Sequence, residues 1–295
     1  MQVKEFKGCG TALITPFKKD LSVDYDKYRI LIKRQIDNGM HFIVPLGTTG
    51  ETPCLEKEEK VKLLSIAVEE ANGKIPVVVG AGSNYTKEVL SNIKEFEKIG
   101  IDGLLVVTPY YNKPTQEGMY NHFKAVSEST DKPIILYNVP GRTGVNMSAE
   151  TCLRLAELKN IVATKEASSN YAQISEIIRS APAGFSVLSG NDDEVLSLCA
   201  TGAKGVISVA SNLAPKEMAE FLNLILKGDY EGARREHHRL TPLFKNCFIE
   251  SNPIPVKAGM GSLGLIENIL RPPLYPATTK TYEVMTDTVK KLGIK

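Results

Sequence analysis

The sequence predicts an α/β chain of the (β/α)₈ barrel class, with a catalytic barrel over residues 1–224 and a C-terminal α-helical domain over 225–295. Three observations lead there: eight short, β-branched apolar runs, helical patterns between them, and a change to helical patterns alone after Ser211. The runs are GTALITPF from Gly10, FIVPLG from Phe42, PVVVGAG from Pro76, GLLVVTP from Gly103, IILYNVP from Ile134, IVATKEA from Ile161, FSVLSGND from Phe185 and GVISVAS from Gly205. Each is too short for a free-standing helix and reads as continuously apolar, the pattern of parallel strands covered on both faces. Between them, stretches such as DKYRILIKRQIDNG, KEEKVKLLSIAVEEANG, KEVLSNIKEFEKIG and SAETCLRLAELKN carry apolar residues at three and four spacing, with Gly or Asn near several ends. Eight βα units fit a closed barrel better than an open doubly wound sheet, and no G-x-G-x-x-G follows the first strand. The helical patterns after Ser211 are PKEMAEFLNLILKG, DYEGARREHHRLTPLFKNCFI, IPVKAGMGSLG and TKTYEVMTDTVKKLG.

Charge and cysteine usage narrow the functional classes. Lys and Arg number 36 against 34 Asp and Glu, without a basic run, which argues against nucleic acid or an anionic membrane as partner. The segment MQVKEFKGCG has no apolar leader core, and no stretch approaches the roughly 20 apolar residues of a membrane span. A cytoplasmic protein is expected. Cys9, Cys54, Cys152, Cys199 and Cys247 lie far apart and form no C-x-x-C pair, so reduced, packed thiols are expected. No metal-ligand spacing is found, and the adjacent His237 and His238 read as facing solvent or a neighbouring helix.

In this fold class reactive side chains project from the C-terminal ends of the strands. Lys165 stands out there, a cationic side chain within the apolar run IVATKEA. Desolvation favours the neutral form of an amine, and the neutral amine is the nucleophile that forms an imine with a ketone. The same pattern also fits a lysine paired with Glu166 or reaching out to the rim. Imine chemistry needs proton relays, and hydroxyl groups gather at neighbouring strand ends: Tyr137 after the fifth run, Thr48 and Thr49 after the second, Tyr110 and Tyr111 after the fourth. Arg142 offers a guanidinium fork to a substrate carboxylate.

The segments GTTGE (47–51), TPYYNKPTQEG (108–118), YNVPGRTG (137–144), TKEAS (164–168), SGNDD (189–193) and GVISV (205–209) resemble those of the dihydrodipicolinate synthase family, pyruvate-dependent class I aldolases. The resemblance covers essentially the whole chain. It implies a lyase that condenses pyruvate with L-aspartate 4-semialdehyde on the route to diaminopimelate and lysine, using no cofactor beyond a covalent imine at Lys165. It further implies that Tyr137 passes protons to and from the imine, that Thr48 and Tyr111 complete the relay, and that Tyr111 is supplied by a neighbouring subunit of a homotetramer of tight dimers. Thr49 would hold the pyruvate carboxylate and Arg142 that of the semialdehyde, with Gly190 and the Ile207 carbonyl bordering the site.

For a candidate effector site the resemblance points to Asn84, Glu88 and Tyr110, with Lys57 and Lys60 where lysine-inhibited members carry histidines. Two ammonium groups repel a cationic effector, so weak or absent feedback by lysine is expected. Two other functions fit the fold: an N-acetylneuraminate lyase or keto-deoxy-sugar aldolase of the same superfamily, and a catalytically silent barrel scaffold. G-R-T-G after the fifth strand, where sugar-binding hydroxyls would be expected, disfavours the first. The hydroxyls around Lys165 disfavour the second.

Overall fold

Eight strands alternate with helices along the chain; seven of the apolar runs singled out in the sequence contain a strand, and the first run overlaps the first strand, which starts two residues before it. The computed structural model describes residues 6–295; residues 1–5, part of the segment read as lacking a leader, lie outside the described residues. In chain order the elements are β1 (Gly8–Ala12), α1 (Tyr25–Asp37), β2 (Phe42–Val44), α2 (Lys57–Ala71), β3 (Val78–Gly80), α3 (Thr86–Phe96), β4 (Gly103–Val107), α4 (Gln116–Glu128), β5 (Ile134–Asn138), α5 (Pro140–Thr143), α6 (Ala149–Ala156), β6 (Ile161–Glu166), α7 (Tyr171–Ser180), β7 (Ser186–Ser189), α8 (Val195–Ala200) and β8 (Gly205–Ser208), then α9 (Pro215–Leu226), α10 (Tyr230–Asn246), α11 (Ile254–Ser262) and α12 (Thr279–Leu292). The strands are buried along almost their whole length, which is why their sequences do not alternate.

The chain divides into two compact units: Val78–Ile207 with the chain up to Gly8, and Cys9–Val77 with Ser208–Lys295. In the first, β3 to β8 pair in parallel and in sequence order, and the Gly8 N–H donates to the Lys204 carbonyl at 2.8 Å, just before β8. Three of its helices are closed at their N-termini by side chains the sequence supplies: Thr115 caps α4, Ser148 caps α6 and Asn170 caps α7.

In the second unit, β1 pairs in parallel with β2, and Ile43 of β2 bridges in parallel to Val77, the residue before β3. Its C-terminal helices pack on one another, α11 against α12 and α10 against both α9 and α12. The His237 ring lies 6.2 Å from that of Phe221 and 5.9 Å from that of Phe244, a helix contact as expected. The expected domain boundary at residue 225 falls within α9. None of the five cysteines forms a disulfide, and four of them are buried. No helix among the described residues is long and apolar enough to cross a membrane.

Candidate active site

The parallel register of β5 and β6 sets two residue pairs side by side, Tyr137 with Lys165 and Asn138 with Glu166. Successive residues of a strand point to opposite faces, so the first pair shares one face and the second pair the other. Lys165 is 6% exposed and Tyr137 7%, and the Lys165 Nζ lies 4.1 Å from the centroid of the Tyr137 ring. The pairing of Lys165 with Glu166 that the sequence left open does not form: the Glu166 carboxylate accepts from Asn138 Nδ2 at 3.1 and 3.3 Å and from Ser168 Oγ at 2.7 Å. Among the described residues no carboxylate forms an ion pair with Lys165. Burial pushes the Glu166 carboxyl up to about 7, against the downward pull of the Ser168 and Asn138 hydrogen bonds.

Gly190, after β7, closes one side of the amine. A Cβ at this position would stand 3.1 Å from Lys165 Cε, 3.0 Å from the Glu166 carbonyl oxygen and 2.6 Å from Ala167 Cβ. The Gly190 N–H donates to that carbonyl at 2.6 Å. Ile207 is fully buried on β8. Arg142 is exposed on α5, a four-residue turn begun by Pro140 and closed by Gly144 in the left-handed conformation.

Tyr110 and Tyr111 follow β4. Tyr111 has φ 71° and is 87% exposed, an unusual pairing of a bulky side chain with left-handed backbone. Its N–H donates to the Thr143 carbonyl at 3.4 Å, and Asn112 Nδ2 donates to the Asn84 carbonyl at 2.9 Å, so the loops after β3, β4 and β5 are tied together. Glu88 accepts a hydrogen bond from Ser83 Oγ at 2.6 Å.

In the second unit, Thr48 and Thr49 form a 3₁₀ turn after β2, with Thr48 exposed and Thr49 buried. Asn252 Nδ2 donates to Thr49 Oγ1 at 3.0 Å, and Thr15 Oγ1 donates to the Gly50 carbonyl at 2.8 Å. Glu51 ends the turn with φ 54° and is fully buried with Lys257, whose Nζ lies 2.6 Å from Glu51 Oε1 and 2.9 Å from the Thr15 carbonyl oxygen. The Arg271 N–H donates to Glu51 Oε2 at 3.1 Å, and its guanidinium grips both oxygens of Glu59 at 2.6 Å. Burial pulls the Lys257 amine down to about 8, with Glu51 opposing. Lys57 is exposed and Lys60 half-buried, both in the first turn of α2.

The structure therefore gathers Lys165, Tyr137 and Gly190, and separately holds Thr49 on Asn252. Sequence reasoning missed Asn138, Asn252 and Lys257. Lys257 carried the same signal as Lys165, a lone cation in the apolar stretch IPVKAGM, whereas Asn252 carried none, since its partner is 203 residues away. Among the described residues, no group of three or more His, Cys, Asp or Glu side chains is arranged to hold a metal ion.

Eight βα repeats with polar side chains collected at strand ends define a (β/α)₈ enzyme with a helical C-terminal part. The Dihydrodipicolinate synthetase family model matches residues 5–292. The 4-hydroxy-tetrahydrodipicolinate synthase of Phocaeicola vulgatus is 51% identical over 290 residues, covering 98% of each chain. Among solved structures, the dihydrodipicolinate synthase of Thermotoga maritima superposes with a TM-score of 0.96 at 49% identity, covering 98% of this chain and 99% of that one. A monomeric dihydrodipicolinate synthase variant superposes with a TM-score of 0.97 at 48% identity over 99% and 98%. The chain belongs to the dihydrodipicolinate synthetase family and is a lyase.

Proposed function

We propose that this lyase condenses pyruvate with L-aspartate 4-semialdehyde through an imine at Lys165, the activity of a 4-hydroxy-tetrahydrodipicolinate synthase in diaminopimelate and lysine biosynthesis. The observation that carries this reading is a buried amine that no carboxylate among the described residues pairs with, 4.1 Å over a phenol ring on the neighbouring strand. An ammonium locked in an ion pair cannot attack a carbonyl; an amine desolvated beside a hydroxyl relay can.

Lys165 Nζ adds to the ketone carbon of pyruvate, and the carbinolamine loses water to give the imine. Loss of a methyl proton then yields an enamine, whose carbon bonds to the aldehyde of the semialdehyde. The amino group of that unit attacks the imine carbon, closes the ring and expels the lysine amine. Tyr137 moves the protons, with Thr48 and Tyr111 completing the relay. Thr49 holds the pyruvate carboxylate, Arg142 takes the carboxylate of the aldehyde, and Gly190 and the Ile207 carbonyl border the reacting carbons. No cofactor takes part.

The exposed Tyr111 ring on strained backbone supports its use by a second copy, in a homotetramer of paired dimers. Five cysteines outside any disulfide support a cytoplasmic setting. Asn84, Glu88 and Tyr110 would face an effector, with Lys57 and Lys60 weakening any inhibition by lysine.

One experiment tests this. Incubation with pyruvate and borohydride should add one reduced pyruvyl group by intact mass, and Lys165→Ala should abolish it. Turnover with the semialdehyde should exceed that with N-acetylmannosamine or glyceraldehyde and should persist in added lysine. Absence of any adduct would mean a silent barrel, and preference for a sugar aldehyde would mean a lyase of the sugar-acid type.

A further inference from the structure

The face of β5 and β6 opposite Lys165 carries a second polar pair that the reaction as described does not use. Asn138 and Glu166 are both fully buried, and their bonding is asymmetric. Both Glu166 oxygens accept from the amide NH₂ of Asn138, which leaves Asn138 Oδ1 for other donors. One N–H of Asn138 is shared between the two Glu166 oxygens. The other reaches Asn146 Oδ1 at 2.8 Å and the Met147 carbonyl at 3.4 Å, and Asn138 Oδ1 accepts from the Met147 N–H at 3.0 Å. Ser168 Oγ donates at 2.7 Å to Glu166 Oε2, one of the same two oxygens.

The chain leaves β5 at Asn138 and returns to the same side chain at Met147. Everything between is the segment that carries α5 and Arg142. A second tie comes from α7, where Asn146 Nδ2 donates to Gln173 Oε1 at 2.8 Å and Gln173 Nε2 donates to the Met147 carbonyl at 3.1 Å. Arg142 lies in that segment, so the place of its backbone follows from how firmly the two ends are fixed.

We infer that Glu166 is a positioning residue for the second substrate: it fixes the Asn138 amide, Asn138 clasps the segment 139–147, and the clasp aims Arg142 at the carboxylate of the aldehyde. This rests on the proposed reading of Arg142 and Lys165. Pyruvate binding and imine formation take place on the opposite face and do not draw on the clasp.

The test is steady-state kinetics with pyruvate and aspartate semialdehyde, alongside borohydride trapping of pyruvate, on Glu166→Gln, Asn138→Ala, the double variant and Asn146→Ala. Glutamine turns one accepting oxygen into a donor, which must face either the Asn138 amide or Ser168, whose hydroxyl and backbone N–H both donate to Glu166, so the clasp loosens without a large change of volume. Each single variant at 138 or 166 should raise the aldehyde KM by about 10-fold, with pyruvate KM and trapped adduct within about 2-fold of the parent. The double variant should be no worse than the weaker single, because both changes break one chain of bonds. Asn146 is exposed, so its alanine variant tests the clasp even where the buried variants do not fold, and its aldehyde KM should also rise. An unmoved aldehyde KM in Asn146→Ala, additive effects at 138 and 166, or a fall in kcat alone would overturn the assignment. Failure of the parent to form the pyruvate adduct would instead sink the imine reading beneath it.

Discussion

Lys165 and Lys257 are both buried lysines in apolar surroundings, and what separates them is a carboxylate. Lys257 meets Glu51 at 2.6 Å and a carbonyl at 2.9 Å, which leaves its amine bound as a structural cation. Lys165 has a phenol ring beneath it instead, and its position depends on Gly190 lacking a side chain. A methyl group there would stand 2.6 Å from Ala167 Cβ, closer than real carbon contacts allow, and 3.1 Å from the carbon that bears the amine. The lysine tip can swing aside, whereas Ala167 and the backbone carbonyl cannot. Gly190→Ala should therefore leave the protein folded but lower kcat/KM by at least about 10-fold, as expected for a displaced nucleophile. Near-parent turnover in this variant would mean that β7 yields and that Lys165 keeps its place.

At the scale of elements, the turn after β2 is held by a residue from a helix near the other end of the sequence. Glu51 occupies left-handed backbone and is joined there by Lys257 of α11 and by the Arg271 N–H. Removing one partner of a buried pair strands the other charge, at a typical cost of about 3–5 kcal/mol. Glu51→Gln should fall near the lower end, because an amine already drawn down to about 8 sheds its proton readily. Urea denaturation of Glu51→Gln at pH 7 checks this, and a loss below about 1 kcal/mol would show that the pair contributes specificity and little stability. The strands themselves were legible because continuous burial leaves uninterrupted apolar runs, and Lys165 was legible as a charge interrupting one. The GTTGE turn was legible as a motif, but its supports Asn252 and Lys257 were not: contacts spanning 203 and 206 residues leave no local pattern. Neither were the partners of Glu166, since adjacency in sequence suggests pairing with Lys165, and only strand alternation together with the β5 register sends it to Asn138.

For the molecule as a whole, the buried Glu166 carboxyl couples folding to pH. Its folded value lies near 7, raised by burial from an ordinary 4.5, so between those values the native chain holds a proton that the unfolded chain has released. Stability from this site is complete below pH 4.5 and is lost as the pH rises through 7. At about 1.4 kcal/mol for each pH unit between the two values, the loss from pH 5 to pH 8 is about 2–3 kcal/mol. Glu166→Gln removes the titration and keeps the volume, so other ionising groups cancel when variant and parent are compared. The stability of the variant relative to the parent should accordingly rise by about 2–3 kcal/mol between pH 5 and pH 8, read from urea midpoints at both. A difference that stays flat would mean that the carboxylate is ionised throughout, with the Asn138 and Ser168 hydrogen bonds outweighing desolvation. The clasp on the Arg142 segment would then be independent of pH, and the aldehyde KM of the parent would show no change across the same interval that traces to this group.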